Sequence, residues 1–331
     1  MERALDPAQT KKSKEREVFD AVYRSRMPAR VVPTERPDFL VRLAAESADF
    51  GVEVVEFFDS ETEARLRRLP GYVGNLLNGG DFRHKEDRRQ LTVDKVSITD
   101  ADGTVKHADV AAVIRQVPNL KMCSRKIAEL IRAKDEKLSG VTSGLSHINL
   151  IMADRTGLLG HLEPASFYTL YCGPELRHAV RACKFREVYF LTSFKSGEAY
   201  VPLKLILTLA SLFMFHPVVA QRHAGDVANG TQMMRLFASY LDVTTTGPVG
   251  VRYEGSQVEV LYGDSGFIVD DQLAPTVRTY NDWPWPADAS KEAARGEELP
   301  VGLVEAINVF ETENTFSTEI AFPVVPGGIQ S

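Results

Sequence analysis

Short apolar runs set off by Pro, Gly and charged residues recur along the first two-thirds of the chain. In residues 13–27, Val18, Phe19, Val22 and Tyr23 recur at near-helical spacing with charges between them, which predicts an amphipathic helix ending before Pro28. Phe39-Leu40-Val41 follows Pro37, and a second β-branched and aromatic run, residues 52–58, follows Gly51; these predict two neighbouring strands. The second run is apolar on both faces, as suits a central strand. A charged helix is predicted over residues 61–69, stopping at Pro70-Gly71. Residues 91–98 and 104–106 read as a hairpin around an Asp-Gly turn, inserted at an edge of the sheet.

The clearest helix is predicted over residues 121–138, with Ile127, Leu130, Ile131 and Leu138 as its apolar stripe. Lys134 lies seven residues after Ile127 and three after Ile131, on that same inward face, while Lys126 and Lys137 fall on the flanks. Strands are predicted over residues 147–154 and 187–192, with a helix over 174–183 between them. The resulting order, strand, strand, insertion, helix, strand, helix, strand, is that of an α/β sheet. Residues 205–220 form the most apolar uncharged run. They are short of the roughly 20 residues of a spanning helix and are interrupted by His216-Pro217, so a buried core helix is expected.

Beyond residue 224 the texture is loop-rich, with two short strands at 249–253 and 257–262, a Trp283-Pro-Trp-Pro segment and a polar, acidic stretch over 287–299 that reads as a linker. The expected organisation is an α/β domain over residues 1–224, with an insertion at about 60–118, followed by a C-terminal extension over 225–331.

Composition adds limits rather than a function. The 331 residues are 44% hydrophobic and 25% charged, enough for a sizeable core. With a net charge of −6, nucleic acid has no global basic field to meet, so any such binding needs a local patch. Arg83, Lys85, Arg88 and Arg89 supply one candidate, mixed with Glu86 and Asp87. It reads either as a solvated face or as a phosphate-contacting surface. Cys123, Cys172 and Cys183 form no CxxC pair or zinc pattern, as expected in a reducing compartment. The first residues form no apolar h-region, so no secretory signal is expected, and a soluble, cytoplasmic protein with no membrane partner is expected. His147, His161 and His178 each have an ordinary surface or packing account, and there is no HExxH, GxSxG or P-loop signature.

The polar residues that the pattern sends inward are the informative ones. Asp38 heads the first strand, Glu53 sits inside the second, and Lys134 faces the core. A carboxylate in a central strand is costly to bury unless a cation meets it. Two carboxylates on adjacent strands suit a hard divalent cation, and a lysine beside them suits the charge of a phosphodiester under attack. A structural ion pair between Glu53 and Lys134 is the alternative.

Pro37-Asp38 followed by Gly51-Val-Glu53-Val-Val55 resembles the PD-(D/E)xK nuclease superfamily, over roughly residues 13–192. The resemblance implies a restriction-endonuclease-like fold: a mixed central sheet flanked by helices. It also implies hydrolysis of phosphodiester bonds in DNA, with Mg²⁺ or Mn²⁺ held by Asp38 and Glu53. The family's lysine position is Val55 here, so either Lys134 is its migrated counterpart or the catalytic lysine is lost and the protein is a binding scaffold. Glu17 resembles the extra acid that some members contribute from the first helix, and Glu56 is the alternative third ligand. The implied partner is nucleic acid held at the basic patch; a homodimer is left open.

Overall fold

The computed structural model describes residues 7–26, 28–43, 49–116, 119–138, 144–157, 170, 173–194, 197–222, 230–247, 249–254, 257–269, 275–279, 298–313 and 325–326. The chain divides into two compact units: Phe58–Cys123, and the remainder on either side of it.

Helix α1 (Pro7–Tyr23) opens the larger unit, followed by β1 (Pro28–Pro33), β2 (Phe39–Leu43) and β3 (Phe50–Phe57). The smaller unit holds α2 (Glu61–Arg68), α3 (Tyr72–Leu77), α4 (Lys85–Gln90) and the antiparallel strands β4 (Leu91–Thr99) and β5 (Val105–Arg115). Helix α5 (Leu120–Glu136) leads back into the larger unit, where β6 (Ile148–Asp154), α6 (Pro174–Ala182), β7 (Val188–Phe194), β8 (Gly197–Pro202) and α7 (Leu203–Arg222) follow. After these come α8 (Gly230–Thr244), β9 (Val249–Glu254), β10 (Gln257–Tyr262), β11 (Ser265–Val269), β12 (Pro275–Thr279), α9 (Leu303–Glu313) and the two-residue strand β13 (Val325–Pro326).

The larger unit is mixed α/β. Its main sheet has the order β1-β2-β3-β6-β7-β8-β13, with β3, β6 and β7 parallel and the outer pairings antiparallel. All four strands expected to share a sheet, β2, β3, β6 and β7, are neighbours in it. Strand β1 was not anticipated. Proline at both of its ends is tolerated because β1 is an edge strand, where a missing N–H interrupts no central ladder.

Helix α1 packs on one face through Val18, Phe19, Val22 and Tyr23, against Phe39, Val41, Val52, Val54, Ile151 and Tyr189. Alternation along β3 therefore sends Glu53 to the other face. Gly51 makes the β2–β3 approach possible. A Cβ there would lie 2.7 Å from Pro37 Cγ and 3.1 Å from Ile148 Cγ1, so any side chain would push Pro37-Asp38 away from the next strand.

Helix α7 is long and apolar enough to cross a membrane, yet it is mostly buried inside the protein, including Leu205, Ile206, Phe215 and Val219. It is the buried core helix expected, but it is 20 residues long and runs through His216-Pro217, where an interruption was expected.

The region after residue 224 differs from the loop-rich extension expected. It holds α8 and an antiparallel sheet ordered β12-β11-β10-β9. Phe237, Tyr240, Val258, Val260 and Ile307 share one core with Leu212 and Phe215 of α7. The two short strands expected there are β9 and β10. The segment read as a linker lies mostly outside the described residues, as do His161 and Cys172.

In the smaller unit, Tyr72, Leu76 and Leu91 form a small core lined by Leu66, Leu69, Phe82 and Val113.

Candidate functional site

Asp38 and Glu53 are brought together by the antiparallel β2–β3 register, in which Phe39 stands opposite Val52. Asp38, just before β2, is 6% exposed. Its Oδ2 accepts a hydrogen bond from the Val54 amide at 2.8 Å. Burial, outweighing that hydrogen bond, and the neighbouring Glu53 and Glu15 carboxylates push its pKa up to about 6.

Lys134, near the end of α5, donates from Nζ to Glu53 Oε1 at 2.6 Å. The side chains of this pair keep 21% and 20% of their exposure, so they meet water. Sequence reasoning put Lys134 on the apolar face of its helix, and Ile127 and Ile131 on that face are fully buried. Leu130 is only half-buried, while Ala128 is buried beside the stripe.

Helix α1 contributes a carboxylate, but it is not Glu17. Glu17 is exposed, whereas Glu15 is buried. The helical period explains the difference. Positions 15, 18, 19 and 22 fall on one face, and 17 points away from it. Glu15 Oε2 is buried and accepts no hydrogen bond, although Lys12 Nζ stands 3.3 Å away.

Lys12 was missed in the sequence reading. Its ammonium also lies 3.8 Å from Asp38 Oδ1 and donates to the Thr34 carbonyl at 2.8 Å. The signal was available, since Lys12 stands three residues before Glu15 on the same helix. Glu56 is engaged elsewhere, with Arg155 Nε at 3.5 Å.

Asp38 thus lies between the Glu15 carboxylate of α1, which meets the Lys11 and Lys12 ammonium groups, and the Glu53 carboxylate on the other face of the sheet, which meets Lys134. Among the described residues no group of three His, Cys, Asp or Glu side chains is close enough to hold a metal by itself. A Mg²⁺ ion needs less, because it is commonly held by one or two carboxylates, with water and substrate phosphate completing the shell.

The basic cluster belongs to the smaller unit. Arg83, Lys85, Arg88 and Arg89 are exposed, the last three on α4. Asp87, embedded in the run, is fully buried. It accepts hydrogen bonds from Thr62 Oγ1, Arg65 and Tyr72 Oη, at 2.8, 2.5 and 2.6 Å. Burial opposes its ionisation, but these donors hold its pKa below the usual carboxylate value. The acid that seemed to dilute the patch is therefore an internal brace, and the arginines and lysine face water.

A second charged assembly escaped sequence reasoning altogether. Asp264, in the two-residue turn between β10 and β11, is buried. Its Oδ2 accepts from Asn149 Nδ2 at 2.5 Å and Tyr189 Oη at 2.7 Å, and Arg26 approaches at 3.4 Å. Arg186 Nε faces Oδ1 at 2.9 Å. His147 stacks on Phe50 at 4.7 Å and meets Arg186 through Nδ1 at 3.3 Å, which makes it a packing residue. Nearby, Glu187 accepts from the Lys204 amide at 2.8 Å and so caps α7. This assembly ties the C-terminal sheet to the main one. Its turn, Gly263-Asp264, looks in sequence like any hairpin connection.

Compared with known families, curated proteins and solved structures, the chain matches none.

The electrostatics of Asp38 make a pH prediction. Its folded pKa of about 6 lies above the ordinary value of 3.8, so its contribution to stability is present below pH 3.8 and is lost as pH rises through 6. Asp38→Asn keeps an acceptor for the Val54 amide and removes the charge. The variant should melt at a higher temperature than the wild type near neutral pH and at an equal temperature near pH 3.8, as followed by circular dichroism. A variant less stable than wild type at neutral pH would contradict the assignment of Asp38 as a strained anion.

Proposed function

We propose that the protein is a metal-dependent phosphodiesterase of restriction-endonuclease-like fold, acting on nucleic acid, with DNA the expected substrate. The observation that carries this reading is that Asp38, buried just before β2, has the Glu53 carboxylate of the adjacent strand β3 as a neighbour, and that Glu53 meets Lys134 of α5 in a pair that touches water. The mixed sheet and the flanking α1 and α5 are consistent with it.

In this reading Asp38 and Glu53 hold Mg²⁺ or Mn²⁺ through their carboxylate oxygens, and Glu15 adds negative charge from α1. The chemistry supplied by such a cation is Lewis-acid stabilisation of charge on a phosphoryl oxygen. Asp38, already destabilised as an anion, gains most from a positive partner. The Lys134 ammonium has three N–H donors and spends one on Glu53 Oε1, leaving donors to orient water or meet a developing phosphoryl charge. The exposed Arg83, Lys85, Arg88 and Arg89 supply contacts to the phosphate backbone, which need no base recognition.

A second reading has its own observation. The direct 2.6 Å contact between Lys134 and Glu53 is also what a structural ion pair in a non-catalytic scaffold looks like. Partial exposure of both partners favours the catalytic reading, because an open pair leaves room for substrate and solvent.

Cleavage of single- and double-stranded DNA and RNA, with Mg²⁺ or Mn²⁺, tests the proposal. The wild type should cleave at least one of them. Lys134→Met should lower the rate by about 100-fold or more while the cation still raises the melting temperature. Asp38→Asn should lose both cleavage and that thermal shift. A wild type that cleaves none of the substrates and shows no thermal response to either cation would overturn the nuclease reading.

The basic patch is tested separately by binding. Replacing Arg88 and Arg89 together with Ala should weaken nucleic-acid binding about equally for all sequences and lower the salt slope by about 2. An unchanged slope would return the cluster to an ordinary solvated face.

A further inference from the structure

Glu187 stands at a buried joint that the site proposed above does not use. It immediately precedes β7 and is fully buried. Its Oε1 accepts the Val188 amide at 2.9 Å and the Lys204 amide at 2.8 Å. Its Oε2 is buried and accepts no hydrogen bond. Oε2 meets instead the turn between β10 and β11. A Cβ on Gly263 would lie 2.3 Å from this oxygen and 3.2 Å from the Arg186 carbonyl. Only glycine, here at φ +80°, lets the turn close onto the carboxyl group.

The guanidinium groups of the joint go to the other acid. Arg186 Nε reaches Asp264 Oδ1 at 2.9 Å, and Arg26 Nη1 reaches Oδ2 at 3.4 Å. Lys204 Nζ, at the start of α7, is directed to the Cys183 carbonyl at 3.5 Å and the Tyr262 ring at 4.7 Å. On β6, Asn149 donates to Tyr23 Oη at 2.7 Å as well as to Asp264. Just before β6, His147 meets Arg186; burial and that positive charge drive its pKa down to about 3, so it stays neutral. Burial raises the pKa of Tyr23, Cys183, Tyr189 and Tyr262, which keep their protons near neutral pH.

The two acids are thereby driven apart. Burial opposes the charge on Asp264, yet Arg186 and Arg26 keep its pKa below the ordinary value. Glu187 has two amides for one oxygen, no donor for the other and an ionised acid in the adjoining turn. Burial and the Asp264 charge raise its pKa to about 7, against the pull of the amides and of Lys204.

We propose that Glu187 and the Gly263-Asp264 turn form a proton-operated latch. With the carboxyl group protonated, the turn rests on it and ties the C-terminal sheet to the main one. With the carboxylate ionised, the turn opens more easily. The folded pKa of about 7 lies above the ordinary 4.5, so the stabilisation is complete below pH 4.5 and is lost as pH rises through 7.

Amide hydrogen exchange of the full chain, corrected for intrinsic rates and followed by mass spectrometry from about pH 5 to about pH 7.5, reads the latch in β10 and β11. Glu187→Gln keeps an acceptor for both amides and cannot ionise. The opening equilibrium of wild type relative to this variant should rise by about tenfold or more over that range in β10 and β11, and by less in β3. The ratio cancels His147, which titrates in the opposite sense in both proteins. Carbon-13 NMR of the glutamate carboxyl carbons gives a reading on wild type alone, where one resonance should titrate with a midpoint of about 7. Asp38→Asn should leave both effects in place, which separates them from the titration of that aspartate. Four results would each overturn the proposal: every glutamate titrating below about pH 6, a constant exchange ratio, a response in β3 as strong as in β10 and β11, or loss of either effect in Asp38→Asn.

Discussion

A carboxylate taken out of water must be met by donors or cations, and this constraint organises both units of the protein. Asp87 meets it with Arg65, Tyr72 and Thr62. Asp264 meets it with Asn149, Tyr189, Arg26 and Arg186. In both, burial raises the cost of the charge, yet the partners hold the pKa below its ordinary value. Asp38 is treated differently. It accepts one backbone hydrogen bond, faces Glu53 and Glu15, and its pKa stands at about 6. Glu187 is also raised, to about 7, chiefly by burial, but it is fully enclosed and occupied with capping α7. Of these four acids, Asp38 alone combines a raised pKa, despite Lys12 at 3.8 Å, with a neighbouring ion pair that touches solvent.

That contrast separates fully partnered from poorly partnered acids of the same residue type. Asp87 and Asp264 are saturated and have little to offer a ligand. Asp38 has only the Lys12 ammonium, at 3.8 Å, to set against its burial and the neighbouring acids. Close approach of the two strands at Gly51 maintains this strain, since a side chain there would overlap Pro37. The position therefore serves the geometry of the acids as much as the packing of the sheet.

Much of this was legible in the chain because it is local. Short β-branched runs bounded by Pro and Gly marked β2, β3, β6 and β7, and a 3.6-residue period placed Lys134 on the inward face of α5. The same period, carried two residues further toward the start of α1, would have chosen Glu15 over Glu17. The Asp264 assembly was not legible in this way. Arg26 and Asp264 are 238 positions apart, and each looks ordinary in its own neighbourhood. Strands β11 and β12 were hidden by Gly266 and Pro275, and helix α8 by the glycine-flanked segment before it, which made a folded sheet and helix read as loop.

The account rests on Glu53 and Lys134 being poised for chemistry, with the fold standing largely without their attraction. A double-mutant cycle in urea, with Glu53→Gln, Lys134→Met and the combined variant, measures that attraction alone. A partly exposed pair should show a coupling of about 1 kcal/mol or less. A coupling of about 3–5 kcal/mol, with most of the stability recovered in the double variant, would mark a structural ion pair and contradict the site proposed for this protein.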